Sequence, residues 1–495
     1  MPDVAIAAPN AAAADAGAAV VKAGGNAIDA ALAASLVTMV NEVGIVSLSS
    51  GGFLTIQPPD GSPAQTIDGW MDMPGRSQAL GGGTWDVSTE YGGGIDITIG
   101  PGSVGTHGSL AAFGVAHQRW GSIPWREIVA PALDVARSGF ALSAASRFYL
   151  EYVHDDIFGW DAASSTAIHD PDGTLKTGLI CVADLADSLE EIAEHGPGAL
   201  YSGDLGRMIS DSILAKGGIL GRDDLDAYRP VTRPSLTARV GDWTLATNPP
   251  PSVGGVCVAA MLRLLDDYPR HGWDVADRAR LIQVQRAVLG ERLRVFNHAD
   301  DLEAAAAAYL DLIDRDHLAV LESGSTAHVS TSGSDGAACS ITVSSGYSSG
   351  MIASGTGIWL NNCLGEQELN PQGLHGLAPG TRLLSNMAPT VGRSSDGASL
   401  AIGSPGADRI TTAIVQAVAG FVSGGLTLEE AIVHPRVHVH RAATDEEEIK
   451  VEGELSMYFG GVAATPCWAT GELNAGADPR RDGAVRLVRE PHTQD

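Results

Sequence analysis

Lysine is nearly missing from this 495-residue chain: of 31 basic residues only Lys22, Lys176, Lys216 and Lys450 are lysines. We read that as genome composition rather than function. Positive charge is scarce altogether, with 59 acids against 31 bases and a formal net charge of -28. Such a balance opposes binding to nucleic acid or to an anionic membrane and favours solubility. Cysteine is also sparse. Cys181, Cys257, Cys339, Cys363 and Cys467 are scattered, odd in number and without a C-x-x-C spacing, so neither a disulfide framework nor a zinc site is expected and a reducing compartment fits. Long apolar runs of about 18 residues are missing, and Met1-Pro2-Asp3-Val4 carries no basic region. The expectation is a cytoplasmic protein without a cleaved leader or membrane span. Internal repeats and low-complexity linkers that would mark a domain boundary are missing too, so one large layered domain or two domains are both open.

What is present is core and turn. Hydrophobic residues make up 44% of the chain and charged residues 18%, with 61 glycines and 25 prolines, which describes a folded protein with many tight turns. Residues 11–40 predict two packed alanine-rich helices, the second capped by Asn26. Phe53-Leu54-Thr55-Ile56 and Ala64-Gln65-Thr66-Ile67 read as strands joined by a turn. Residues 72–105, with Gly81-Gly82-Gly83 and Gly92-Gly93-Gly94, read as loop, with a lid as one use for it. Helical spacing returns at 107–120, 124–138, 182–195 and 204–215 and through most of 256–320. Between them Pro249-Pro250-Pro251-Ser252-Val253-Gly254-Gly255 is a rigid turn followed by glycines that admit a close neighbour. Short strands then follow, and one more helix over 409–423. Helices and strands in alternating blocks suggest helical layers covering sheets.

The stretch of most chemical interest is Ser323-Gly324-Ser325-Thr326-Ala327-His328-Val329-Ser330, small residues running into an alternating strand pattern. On these residues alone a β-hairpin with Gly333-Ser334-Asp335-Gly336 as its turn is the plain reading. The second reading is a nucleophile: if the chain is cut before Thr326, the freed α-amino group lies next to that residue's own hydroxyl and serves as its general base.

Further stretches stand in order around Thr326: Ala23-Gly24-Gly25-Asn26-Ala27-Ile28-Asp29-Ala30-Ala31, the Pro249–Gly255 turn, Gly357-Ile358-Trp359-Leu360-Asn361-Asn362, Leu384-Ser385-Asn386-Met387-Ala388-Pro389-Thr390, Gly403-Ser404-Pro405-Gly406-Ala407-Asp408-Arg409-Ile410, and Asp478-Pro479-Arg480. Together they resemble the γ-glutamyltransferase family of N-terminal-nucleophile (Ntn) hydrolases from about residue 7 to Arg480. The resemblance implies an α+β fold, a four-layer αββα sandwich. It also implies a precursor that cuts itself between Ser325 and Thr326 into segments 1–325 and 326–495, which stay together as a heterodimer in one fold. Thr326 is then the nucleophile. Ser344 stands where the family has a second threonine bonded to it, and Gly406 and Ala407 align with the paired glycines whose amides form the oxyanion hole. His328 is taken as structural, because a free α-amine needs no histidine base. No cofactor or metal is implied.

The departures bear on substrate. Where the family has an arginine for the glutamyl α-carboxylate this sequence has Trp70; Gly346 replaces an asparagine, Cys363 a glutamine and Glu366 an aspartate; of a Ser-Ser pair Ser385 stays and the second is Asn386. The expectation is a threonine hydrolase acting on a small-molecule, non-glutamyl amide or related acyl substrate. Alternatives are a C–C bond hydrolase of the kind found in lincosamide and pyrrolobenzodiazepine pathways and a catalytically silent ligand-binding relative. Had the glutamyl anchor survived, Arg76 or Arg382 would have to supply it.

Overall fold

Asn26 shows how the sequence sets its own element boundaries. Its side chain accepts from the amides of Ile28 and Asp29, while the Asp29 carboxylate accepts from the amide of Asn26, a reciprocal cap that fixes the start of a helix. The helix so begun, Ala27–Asn41, is buried along its whole length. Alanine-rich composition lets it lie against Ala11–Lys22, where a Cβ at Gly17 would come 3.1 Å from the Ala30 carbonyl oxygen. The computed structural model describes residues 2–77, 81–91, 94–266, 275–313, 326–406, 408–441 and 447–489.

Two antiparallel sheets form the centre. The first runs Ala484–Val488, Val4–Ala8, Ala327–Gly333, Ala338–Ser344, Gly51–Gln57, Gln65–Gly69, Val231–Pro234; the second runs Gly476–Ala477, Ala463–Cys467, Ser399–Gly403, Thr390–Ser394, Trp243–Thr247, Leu236–Val240. Both sheets contain strands from before and from after residue 326. Helices Ala11–Lys22, Ala27–Asn41 and Ser109–Trp120 cover the outer face of the first sheet, and Val253–Asp266 and Arg409–Val418 that of the second. The result is the expected four-layer αββα sandwich. Among the described residues no helix is long and apolar enough to cross a membrane.

The two sheets meet through small and hydroxylated side chains. Ser330 donates to the Ala463 carbonyl at 3.1 Å and Ser340 to the Ile402 carbonyl at 3.0 Å, while the Thr390 amide donates to the Ser340 hydroxyl at 3.0 Å. His328 fills the gap opposite Gly403, and a Cβ at Gly403 would sit 2.2 Å from its ring.

One segment departs from expectation. Within residues 72–105 the strands Trp85–Thr89 and Ile95–Ile99 pair as a hairpin. Its alternation, with Val87 buried between exposed neighbours, is obscured in the sequence by the glycine clusters at 81–83, before the first strand, and at 92–94, between the two, which read as loop. Helices Ala144–Phe158 and Ala162–Ile168 were not foreseen.

The Gly403 contact makes a prediction. Gly403→Ala should force the His328 ring or the sheets to move and lower stability by about 1–3 kcal/mol, seen as a lower midpoint in denaturant unfolding with unchanged slope. An unaltered midpoint would mean that the inter-sheet gap yields without strain.

Candidate active site

The pairing of Ala327 with Val343 sets Thr326 beside Ser344, one position beyond the end of that ladder. Both residues are buried, and both line a cleft completed by Trp70, Glu366, Leu369, Ser385, Asn386 and Met387. The space among these residues is about 200 Å³, part of it continuous with solvent.

Each wall has a local cause. Trp70 follows the strand Gln65–Gly69 and lies over Gly51, where a Cβ would approach its ring to 2.7 Å. Its indole Nε1 donates to the Leu384 carbonyl at 2.7 Å, and its ring stacks on Phe53 at 6.4 Å between centroids. Trp70 is thus pinned on both sides where it borders the cleft. Ser385, Asn386 and Met387 are clamped by the proline turn: Ser252 donates to the Met387 carbonyl at 2.6 Å and the Gly254 amide to the Ser385 carbonyl at 3.2 Å. The close neighbour that the glycines admit is this segment, since a Cβ at Gly254 would lie 1.9 Å from the Asn386 carbonyl oxygen.

Other expected site residues lie behind the cleft. The Gly346 amide donates to the Ser344 hydroxyl at 3.0 Å. Gly346 has φ +65°, and a Cβ there would meet Asn362 Oδ1 at 2.4 Å and Glu366 Oε1 at 3.1 Å, so the turn after Ser344 needs glycine. Asn362 Oδ1 accepts from the Tyr347 amide at 2.6 Å and its Nδ2 donates to the Thr98 carbonyl at 3.1 Å, tying this turn to the hairpin. Cys363 is buried against Glu366; burial first, then that carboxylate, pushes its thiol well above the ordinary range. A thiol so held is no nucleophile at neutral pH. Gly406, at φ +119°, packs on Gly460, where a Cβ would come within 2.7 Å of Cα, and is not among the cleft-lining residues. Ala407 and Ser325 lie outside the described residues.

Two cleft residues were not singled out as binding residues from the sequence. Met387 sits inside a quoted motif, so its place was available. Leu369 ends a short turn, Gln367–Leu369, with no pattern to announce it.

The arginines and the histidine have other work. Arg382 donates to the Trp70 carbonyl at 2.6 Å, pairs with Asp72 at 2.9 Å and lies over the Tyr228 ring. Arg76 is a half-exposed neighbour of Asp224 at 4.0 Å. Neither lines the cleft. His328 Nδ1 is 2.8 Å from Thr342 Oγ1 and Nε2 is 2.8 Å from Ser330 Oγ; both nitrogens are engaged between the sheets, and burial holds its pKa down to about 3.

Two facing sheets covered on their outer sides by helices are the architecture of the Ntn hydrolases. Cephalosporin acylase from Bacillus halodurans superposes on 99% of the chain and 96% of its own, with a TM-score of 0.80 at 20% identity. The chain belongs to the γ-glutamyltranspeptidase family, whose model matches residues 13–488. Similar relatives include the glutathione hydrolase proenzyme of Escherichia coli, 29% identical over 93% of this chain and 87% of the relative. The acylase ACY 1 proenzyme of Pseudomonas sp. strain SE83 is 29% identical over 88% and 82%. The relatives' names are those of hydrolases and acylases, which supports an enzyme.

His328 yields a pH prediction. Its unfolded value near 6.5 exceeds its folded value of about 3, so between those limits the unfolded chain binds a proton that the native chain refuses. Stability from keeping it neutral is complete above pH 6.5 and is lost as pH falls towards 3, at up to about 1.4 kcal/mol per pH unit. His328→Gln should fall less steeply than wild type in unfolding free energy between pH 6 and 4. Parallel curves would show that the native histidine protonates freely.

Proposed function

We propose that this protein is a self-processing threonine Ntn hydrolase that cleaves a non-glutamyl amide or related acyl compound through an ester on Thr326. The observation that carries this reading is the cleft itself: Thr326 and Ser344 share it with Trp70, while Arg76 and Arg382 are held elsewhere. In processing, the Thr326 hydroxyl attacks the Ser325 carbonyl, the acyl group moves from the Thr326 nitrogen to its Oγ1 and so frees the α-amine, and water then opens the ester to release the Ser325 carboxylate and the Thr326 hydroxyl. In turnover that amine takes the hydroxyl proton as Oγ1 attacks the substrate carbonyl. The leaving amine then departs with that proton, and water releases the acid from the enzyme ester. Ser344 is the hydroxyl partner of Thr326, and the amides of Gly406 and Ala407 are the donors assigned to the oxyanion. The two fragments, 1–325 and 326–495, remain one heterodimer.

Two features favour a non-glutamyl acyl group. A carboxylate meeting Trp70 loses charge-assisted hydrogen bonds of about 1.5–3 kcal/mol each, while an aryl, heterocyclic or short acyl group gains a flat apolar wall. Asn386 is 3% exposed, and neither its Oδ1 nor its Nδ2 has a hydrogen-bond partner. A buried primary amide left so is costly, and a neutral substrate group offering one donor and one acceptor would satisfy both atoms. The acylase activity in the names of two relatives accords with this reading; the glutathione hydrolases carry the alternative.

Intact-mass measurement of purified protein should show two fragments meeting between residues 325 and 326, and Thr326→Ala should remain a single chain of 51.0 kDa without hydrolase activity. A wild-type chain that stays whole and is fully active would sink the nucleophile assignment. A panel of γ-glutamyl anilide against aryl-acyl and oxalyl-type amides tests the substrate separately. Turnover of the γ-glutamyl compound at kcat/KM of about 10⁴ M⁻¹s⁻¹ or above would overturn the rebuilt pocket and leave the Thr326 chemistry standing.

A further inference from the structure

Away from the cleft, helix Ala144–Phe158 carries His154 and Asp155 near its end, and His169 closes helix Ala162–Ile168. The chain turns between the two helices and brings three ligand atoms together. His154 Nδ1 is 2.9 Å from His169 Nε2, Asp155 Oδ1 is 3.4 Å from His154 Nδ1, and Asp155 Oδ1 is 3.8 Å from His169 Nε2. An ion bound tetrahedrally at about 2.0–2.1 Å holds its ligand atoms about 3.3–3.4 Å apart, and the three edges bracket that spacing. The second nitrogen of His169 lies 3.0 Å from Ser165 Oγ, an outer contact of the kind that fixes ring orientation in metal sites. His169 is buried, His154 half-buried and Asp155 exposed, which leaves a solvent-facing side for a fourth ligand.

A second triad, Asp408, His438 and His440, is also close-set, but its chemistry is already complete. The Asp408 carboxylate pairs with the Arg409 guanidinium and with His438 Nε2, and His438 Nδ1 lies against Thr412 Oγ1. A guanidinium on the carboxylate opposes a cation there. At the first triad the nearby Lys176 ammonium is instead held by the Thr166 and Ala167 carbonyls, leaving the Asp155 charge to a metal.

We propose that His154, Asp155 and His169 form a divalent transition-metal site, of N₂O donor type and suited to Zn²⁺. The metal replaces the proton shared between the two imidazoles and pins the ends of the two helices to each other. Between those helices Trp160 donates to the Ser349 carbonyl at 3.3 Å and Asp161 accepts from the Ile352 amide at 3.2 Å, and within the second helix Ser164 accepts from Trp359 Nε1 at 2.8 Å. Metal binding therefore stiffens the docking of this helix pair onto residues 349–359. The test is titration of chelator-treated, full-length protein with ZnCl₂, read by calorimetry and by thermal midpoint, with CoCl₂ absorption reporting coordination. Wild type should take up one ion with a raised midpoint and nitrogen-ligated d–d bands. His154→Gln should lose the uptake and the shift while its metal-free midpoint stays near wild type. Asp155→Asn should weaken binding about tenfold or more. Equal zinc uptake and equal midpoints in wild type and His154→Gln, or no uptake by wild type at roughly 100 µM, would show the triad to be a hydrogen-bonded histidine pair and nothing more.

Discussion

The constraint on which the molecule depends is the closeness of its two sheets. Serine hydroxyls of Ala327–Gly333 and Ala338–Ser344 reach the carbonyls of the opposing sheet at Ala463 and Ile402, and the ring of His328 lies on the bare backbone of Gly403. A purely aliphatic interface would hold sheets apart by the width of its side chains. Here hydrogen bonds from short side chains do the joining, and each one satisfies a buried hydroxyl that would otherwise cost about 1–3 kcal/mol. The strand Ala327–Gly333 is therefore fixed in the middle of its sheet with strands on both sides. The position of Thr326 at its head follows from that.

A second consequence concerns the cleft. Its walls come from different parts of the sandwich, Trp70 from the end of a strand of one sheet and Ser385 to Met387 from the approach to the other, and they are joined by hydrogen bonds from the indole to the Leu384 carbonyl and from the Leu383 amide to the Met71 carbonyl. Glycines at 51 and 254 bring each wall in. The geometry is held by backbone contacts, which leaves the side chain of Asn386 as the polar group with no internal duty.

Much of the fold was legible. Alanine spacing, the Asn26 cap and the alternating strands gave the elements, and the ordered motifs gave the layers. The candidate site was legible where motif residues also face the cleft, as with Trp70, Ser385 and Asn386. It was less so where a residue acts through a neighbour: Gly346 and Cys363 support the cleft from behind through Asn362 and Glu366, and a sequence does not show which side of a turn a residue faces. The hairpin Trp85–Thr89 with Ile95–Ile99 was hidden by glycine composition. Leu369 and the His154–Asp155–His169 cluster depend on pairings across turns and between helices, for which no local periodicity exists.

The interleaving of the chain bears on its processing. Val4–Ala8 pairs with Ala327–Gly333, Gly51–Gln57 with Ala338–Ser344, and Trp243–Thr247 with Thr390–Ser394. Each ladder joins a strand from before residue 326 to one from after it. Opening the peptide bond ahead of Thr326 removes one covalent link and none of these hydrogen bonds, and the cross-sheet hydroxyls remain as well. Separating the two segments would require tearing both sheets along several ladders at once and exposing the two large apolar cores. A cut there would cost the fold little while giving the first residue of the second segment a free amine, so the interleaving would let the processing proposed above leave one intact sandwich.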